Sequence, residues 1–107
     1  MTVLENFTFF NGATATGNSP VLVNTRGEAL TLMVSGTFVG TITVKGGLDS
    51  AEATITVIDM SDFSFADSIM KAGAFTVPSA YGYDKVQLTI SSYTSGSITV
   101  VGRLCEA

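Results

Sequence analysis

Apolar residues alternate with threonine, serine or other polar residues along most of the chain, and this two-residue period is the feature that most limits its fold. Side chains of a strand point to opposite faces in turn, so each such segment has one apolar face and one polar face. Helical spacing of apolar residues is nearly missing. The pattern therefore predicts an all-β chain of half-buried antiparallel strands. The segments concerned are 30–35, 41–44, 54–57, 86–91 and 98–100, with further short strands at 7–10, 21–23 and 75–77.

An internal repeat organises these strands. Residues 40–48 return 56 positions later as 96–104, with six of nine residues identical. The same register continues upstream, so that each copy reads as strand, five-residue loop, strand. We therefore predict two matching β-hairpins, with Gly40 and Gly96 at the points where the chain turns back. A chance recurrence of common strand residues is the alternative.

Two hairpins that each have one apolar face are best satisfied by turning those faces toward a shared core. This arrangement is an antiparallel β-sandwich or jelly-roll-like layer pair. The 107 residues lie within the size range of one domain, so residues 1–107 are predicted to form a single β-sandwich domain. The predicted core positions are Leu30, Leu32, Val34, Ile42 and Val44, matched by Val86, Leu88, Ile90, Ile98 and Val100.

One segment, 61–71, fits two local structures. Phe63 and Phe65 alternate as residues of a strand do, whereas Phe65, Ile69 and Ala72 share one helical face. We expect a strand or an extended connection here. A single helical turn near 66–70 is the alternative.

Charged residues are scarce in this chain. They make up 13% of it, against about 25% in ordinary soluble domains, and the mean hydropathy is +0.44. A surface with so little charge favours burial against a partner, and we expect a homo-oligomer or a place in a larger assembly. The net charge of −4 and the five scattered basic residues argue against nucleic acid and against an anionic membrane surface.

The chain shows no targeting or membrane-spanning pattern. Its first residues lack the basic and apolar regions of a secretory signal peptide, and no apolar run approaches the roughly 20 residues of a transmembrane helix. The single cysteine, Cys105, cannot form an internal disulfide and is typical of a reducing compartment. We expect no signal peptide and synthesis in a cytoplasm.

Catalytic side chains are also scarce. The chain has no histidine and one cysteine, and these two residue types most often bind transition metals or carry acid, base and nucleophilic steps. No glycine-rich phosphate loop opens a helix. We therefore expect no enzymatic activity, no cofactor and no metal.

Acidic residues remain as candidates for an ion site. Their spacing does not match a calcium loop of the Asp-x-Asp-x-Asp-Gly type, although calcium could use such oxygens. Carboxylates that end turns and strands are the commoner alternative, and we favour it. The residues concerned are Asp49, Glu52, Asp59, Asp62 and Asp67.

Aromatic residues offer candidate contact points. Tyr81, Tyr83 and Tyr93 could form a sugar-stacking patch, although tyrosines beside strands more often pack at a sandwich end and bond to backbone. Phe38 lies at the predicted tip of the first hairpin loop and is a candidate partner contact. The remaining phenylalanines are assigned mostly to the core by their spacing, namely Phe7, Phe9, Phe10, Phe63, Phe65 and Phe75.

The sequences of several segments resemble those of a known group of proteins. Residues 32–36, 40–46, 83–86 and 91–100 together resemble small β-sandwich structural proteins of tailed bacteriophages and prophages, over roughly 30–104. Members of that group often carry Asp-Gly-x-Trp after the second strand, where this chain has Leu-Asp-Ser-Ala. The resemblance implies a virion component of head, neck, tail or fibre that is assembled in copies without catalysis.

Three functions follow as hypotheses. The first is a virion structural or capsid decoration protein that self-assembles or docks onto other virion proteins, with Phe38 and Tyr93 as contact points. The second is a small carbohydrate-binding module that binds a glycan through Tyr81 and Tyr83. The third is an edge-strand adaptor of another secreted or surface assembly.

Overall fold

The computed structural model describes residues 3–23, 29–47, 53–77 and 84–105. Within these ranges the chain forms eleven strands and no helix, and hence no helix of the length and hydropathy that crossing a membrane requires. The all-β prediction is confirmed. The strands are β1 (Val3–Ala13), β2 (Gly17–Asn18), β3 (Leu22–Val23), β4 (Ala29–Ser35), β5 (Phe38–Gly47), β6 (Ala53–Thr54), β7 (Val57–Asp59), β8 (Ser64–Ala66), β9 (Gly73–Val77), β10 (Lys85–Gly96) and β11 (Ile98–Cys105).

The strands form two antiparallel sheets. Sheet A has six strands in the order β1-β11-β4-β9-β7-β8. Sheet B has the order β2-β10-β5-β6, and β3 pairs with β10 as well. This arrangement confirms the predicted β-sandwich.

The core lies between the sheets and is built from the inward residues of the alternating strands. All ten core positions predicted from the repeat are buried, and none is more than 3% exposed. A fully buried aliphatic side chain contributes about 1.5–3 kcal/mol, so this set is a major part of the stability of the fold. Further buried members are Phe9, Leu22, Ile55, Val57, Ile69, Phe75, Val77 and Leu104.

The predicted hairpins are wrong. Strand β4 pairs with β11 and β9, whereas β5 pairs with β10 and β6, so the two strands of each repeat copy lie in different sheets. Each copy therefore crosses the sandwich and pairs its strands with those of the other copy. The alternation did not reveal this, because it shows that a strand buries one face but not which strand it pairs with. The same apolar face is buried whether two consecutive strands pair in one sheet or lie in opposite sheets.

Two tight corners make these crossings. Gly36 and Thr37 join β4 to β5, and Ser97 joins β10 to β11. Gly36 has φ 103° and Gly96 has φ 93°, values that favour glycine. The corners touch, since the N–H of Ser97 donates to the carbonyl of Thr37 at 3.1 Å. A Cβ on Gly36 would overlap the Ser97 carbonyl oxygen, and one on Gly96 would overlap that of Thr37.

The predicted turning points are thus half correct. Gly96 lies at a corner, but Gly40 lies inside β5 opposite Tyr93. At Gly40 a Cβ would come within 2.7 Å of the Ser92 carbonyl oxygen. This glycine allows close approach of two strands and does not make a turn.

The segment 61–71 begins with a turn at 61–63, contains the expected strand only at 64–66, and then links the two sheets. It contains β8 and then Ile69, whose backbone exchanges two hydrogen bonds with Ile42 of β5, at 2.7 and 2.8 Å. Ile69 is 1% exposed. The side chain therefore closes the core between the sheets.

Substituting Gly96 tests the corner contact. We expect Gly96→Ala to lower the free energy of unfolding by about 3 kcal/mol or more, because it combines an unfavourable φ with a backbone overlap. Gly12→Ala is the matched control, since Gly12 has φ 68° but no atom within 4 Å of its Cβ position. That variant should lose only about 1 kcal/mol. Chemical denaturation measures both, and equal losses would contradict the role of the corner contact.

Candidate functional site

The outward side of sheet A carries two aligned rows of side chains, which we call the A face. The first row follows directly paired residues across all six strands. The second row lies two residues away from the first along β1, β11, β4 and β9, and ends at the residue directly after β7. Directly paired residues project from the same side of a sheet. The first row is Asn6, Arg103, Thr31, Thr76, Ile58 and Phe65, and the second is Thr8, Val101, Met33, Ala74 and Met60, whose N–H donates to the Ala74 carbonyl.

The A face carries more exposed apolar side chains than is usual for the solvated side of an antiparallel sheet. Met33 is 56% exposed and Phe65 is 73% exposed. By contrast, the outward side of sheet B carries hydroxyl, amide and ammonium groups, and Thr89 Oγ1 donates there to Asn18 Oδ1 at 2.8 Å. The polar outward residues of β5 and β10 are Thr41, Thr43, Lys45, Lys85, Gln87, Thr89 and Ser91. Val39 of β5 and Val23 of β3 are exposed apolar residues on this sheet.

One end of the A face contains an open concavity of about 300 Å³. Met33 and Val101 supply apolar lining, and the guanidinium of Arg103 supplies a positive charge. Arg103 Nε donates to Asn6 Oδ1 at 3.0 Å, which holds the guanidinium beside β1. The complete lining is Asn6, Thr31, Met33, Val101 and Arg103.

The opposite end of the A face is the β7–β8 hairpin, whose loop is held from inside by Asp59. This carboxylate is 6% exposed and accepts hydrogen bonds from the N–H and hydroxyl of Ser61 at 2.9 and 2.8 Å. Its other oxygen forms an ion pair with Lys71 Nζ at 2.9 Å. The backbone N–H of Ser61, then Lys71, then the Ser61 hydroxyl lower the pKa of Asp59 from 3.8 to about 2.

A second set of hydrogen bonds, accepted by Asp62, fixes the part of the loop that carries the aromatic residues. Asp62 Oδ1 accepts from the hydroxyl and N–H of Ser64 at 2.7 and 3.0 Å, and these bonds lower the pKa of Asp62. Phe63 has φ 58° and is 71% exposed. A left-handed backbone costs a residue with a side chain roughly 1–2 kcal/mol. Strain at an exposed aromatic residue points to a functional reason for its position.

The spacing of the phenylalanines predicts Phe63 and Phe65 as core residues, and this prediction is wrong for both, since they are 71% and 73% exposed. Period two identifies the two faces of a strand but not which face is buried, and β8 is an edge strand. The signal for the A face was Met33, since the outward position between Leu32 and Val34 holds methionine, whereas the corresponding positions between Ile42 and Val44 and between Leu88 and Ile90 hold threonine.

The structure brings together two of the predicted contact residues. Phe38 pairs with Gly96, and Tyr93 pairs with Gly40, at the corner end of the β5–β10 pair. Both are partly buried against the core, and the Tyr93 hydroxyl donates to the Gly96 carbonyl at 2.5 Å. Phe38 lies in a strand and not at a loop tip, because the corner comes earlier, at Gly36 and Thr37. A partner contact through Phe38 or Tyr93 stays a prediction.

The other predicted sugar-stacking residues, Tyr81 and Tyr83, lie outside the described residues, and so do Asp49 and Glu52 of the acidic set. Within the described ranges no three His, Cys, Asp or Glu side chains gather as a metal site would require. Asp59 and Asp62 instead form the hydrogen bonds of a turn, as the commoner alternative has it.

Comparison with known proteins shows in which other proteins this fold occurs. No protein-family model and no curated protein sequence matches the chain. Two solved structures share its fold. The SPBc2 prophage-derived protein YomS has a TM-score of 0.82 and 24% identity, over 94% of this chain and 90% of that one. The PBSX exported protein XepA has a TM-score of 0.83 and 21% identity, over 94% of this chain and 37% of that one.

By their names, YomS is a prophage-derived protein and XepA is an exported protein of PBSX. The expected resemblance to phage proteins is therefore confirmed at the level of the fold. This chain corresponds to about one third of XepA, so the fold occurs both as nearly a whole protein and as part of a longer one.

Acid titration tests the role of Asp59. Because its pKa is lower in the folded chain than its ordinary 3.8, its stabilising contribution is complete above pH 3.8 and is lost as the pH falls toward 2. We expect Asp59→Asn to make the fall in unfolding free energy across this window shallower. Ser61→Ala keeps the backbone N–H and should retain more of the slope. An Asp59→Asn chain with the original slope would contradict the assignment.

Proposed function

We propose that this chain is a non-catalytic structural or decoration protein of a phage-type particle, and that it docks onto protein through the A face. The observation that carries the proposal is the second row of the A face. Outward positions of three adjacent strands hold Val101, Met33 and Ala74 in direct register. Contiguous apolar residues on an exposed sheet are a feature of protein interaction sites.

The names of the two structural neighbours support the phage-type particle. YomS is named as a prophage-derived protein, and XepA is named as a PBSX exported protein. A particle component is made in many copies that must pack against each other or against other subunits. The low content of charged residues, 13%, suits a chain whose surface becomes buried in this way.

The chemistry of the carboxylates supports a role without catalysis. A general acid at neutral pH needs a raised pKa, whereas the pKa values of Asp59 and Asp62 are both lowered. Their hydrogen bonds hold the β7–β8 loop in place. These two carboxylates therefore fix the conformation of a surface loop.

Particle composition tests this proposal. Particles from the strain that encodes the chain are banded on a density gradient, and their proteins are quantified by mass spectrometry. We expect the chain at a fixed copy number relative to the major capsid protein. Met33→Glu should reduce that number at least about tenfold, because a carboxylate buried in an interface loses its hydration, at a cost of more than about 1.4 kcal/mol even with Arg103 nearby.

Val39→Ser is the matched control for this experiment. Val39 is 59% exposed, close to the 56% of Met33, but it lies on β5 of sheet B. The control should be incorporated like the original chain. Absence of the original chain from banded particles, or equal loss of both variants, would contradict docking through the A face.

A further inference from the structure

We infer that the concavity of the A face receives the β7–β8 hairpin tip of a second copy of this chain. The inference rests on the proposed docking function and names its partner. Both halves of the contact belong to one sheet of one molecule, and the two halves have complementary chemistry.

The receiving half is apolar with one cation at its margin. Met33 and Val101 line the concavity, and Arg103 is held there by its bond to Asn6. Such a site favours a ligand that combines an apolar group with an anionic one. A guanidinium also stacks favourably on an aromatic ring.

The inserting half has this combination. Phe63 and Phe65 are 71% and 73% exposed, the two largest values among the exposed large hydrophobic residues of the described chain. Asp62 lies beside them, and its lowered pKa keeps the carboxylate ionised at neutral pH. An aromatic ring over Met33 and Val101 would bring this carboxylate toward Arg103.

The inserting half is also fixed before it binds. The bonds from Ser61 and Lys71 to Asp59 and from Ser64 to Asp62 define the loop, and the Phe63 N–H donates to the Asp59 carbonyl at 2.7 Å. A group already ordered in its binding conformation loses less entropy on association. The left-handed backbone of Phe63 is maintained by these bonds without local burial of its ring.

The tip cannot fill the concavity of its own molecule. Strand β8 is three strands from β4 in sheet A, a distance of roughly 14 Å, whereas an aromatic side chain reaches neighbours about 7–8 Å away. The occupant is therefore another copy. Because Phe65 and the concavity share one face, two copies facing each other about an axis parallel to the strands would form the contact twice.

The oligomeric state of the full chain tests the inference. Sedimentation equilibrium should show a mass of at least twice 11.1 kDa. A dimer and a larger closed ring both support the contact if they depend on the same residues. Phe65→Ser and Met33→Glu should each raise the dissociation constant at least about tenfold. Val39→Ser, on sheet B, is the control and should associate like the original chain.

Mixing the two defective variants gives the sharpest test. Phe65→Ser lacks the inserting ring but keeps an intact concavity, and Met33→Glu has the reverse defect. We expect an equimolar mixture to form a one-to-one complex more tightly than either variant associates with itself, because only the mixture pairs an intact ring with an intact concavity. Such a complex would also show that both variants are folded.

Three outcomes would overturn the inference: a monomeric original chain, association that Phe65→Ser leaves unchanged, or no complex in the mixture. A monomer that is still incorporated into particles would leave the docking function in place and remove only the second copy as partner.

Discussion

The contact between the two corners is the constraint on which the rest of the fold depends. Each copy of the sequence repeat must cross from one sheet to the other within one or two residues, and both crossings occur at the same end of the sandwich. Only glycine at positions 36 and 96 leaves room for the opposing carbonyl oxygens. Once the corners are joined, the first strand of one copy lies beside the second strand of the other, and this holds for both sheets. Sheet pairing and core composition are therefore consequences of the same local geometry.

This interleaving also creates the A face. Strands β4 and β11 are separated by more than sixty residues in sequence, yet their register places Met33 beside Val101 and Thr31 beside Arg103. Additional strands on both sides extend the Thr31–Arg103 pair into a row across six strands and the Met33–Val101 pair into a row of five residues. The concavity and the hairpin tip therefore have fixed positions on one surface, set by backbone hydrogen bonds. A surface built in this way can repeat the same contact in every copy, as an assembly protein requires.

Burial along the strands was predictable from the sequence, whereas strand partners and exposed aromatic residues were not. Alternation located all ten repeat-derived core residues, because a sandwich buries one face of each central strand. Alternation led to the wrong hairpins because it does not show whether two consecutive strands pair within one sheet or face each other across the core. It predicted that Phe63 and Phe65 are buried because the two-residue period is the same for residues on the uncovered side of an edge strand as for residues facing the core. Met33 carried a usable signal, a large apolar residue on the face where threonine and serine are usual, and Tyr93 behaved as its packing alternative suggests.

Asp59 connects the stability of the fold to the shape of the candidate interface. Its backbone pairs with Phe75 of the core, while its side chain holds Ser61 and Lys71 around the loop that presents Phe63. An apolar residue at this inward position would fill the core but would leave the N–H of Ser61 and the ammonium of Lys71 without this acceptor. A buried carboxylate is a costly choice for a core, and its retention is explained if the loop it orders has to present aromatic side chains in one conformation. The same reasoning explains why the strained Phe63 backbone lies directly after this residue's turn. The rigid sandwich and the bonds to Asp59 thus hold the loop in one conformation, with Phe63 exposed at its tip.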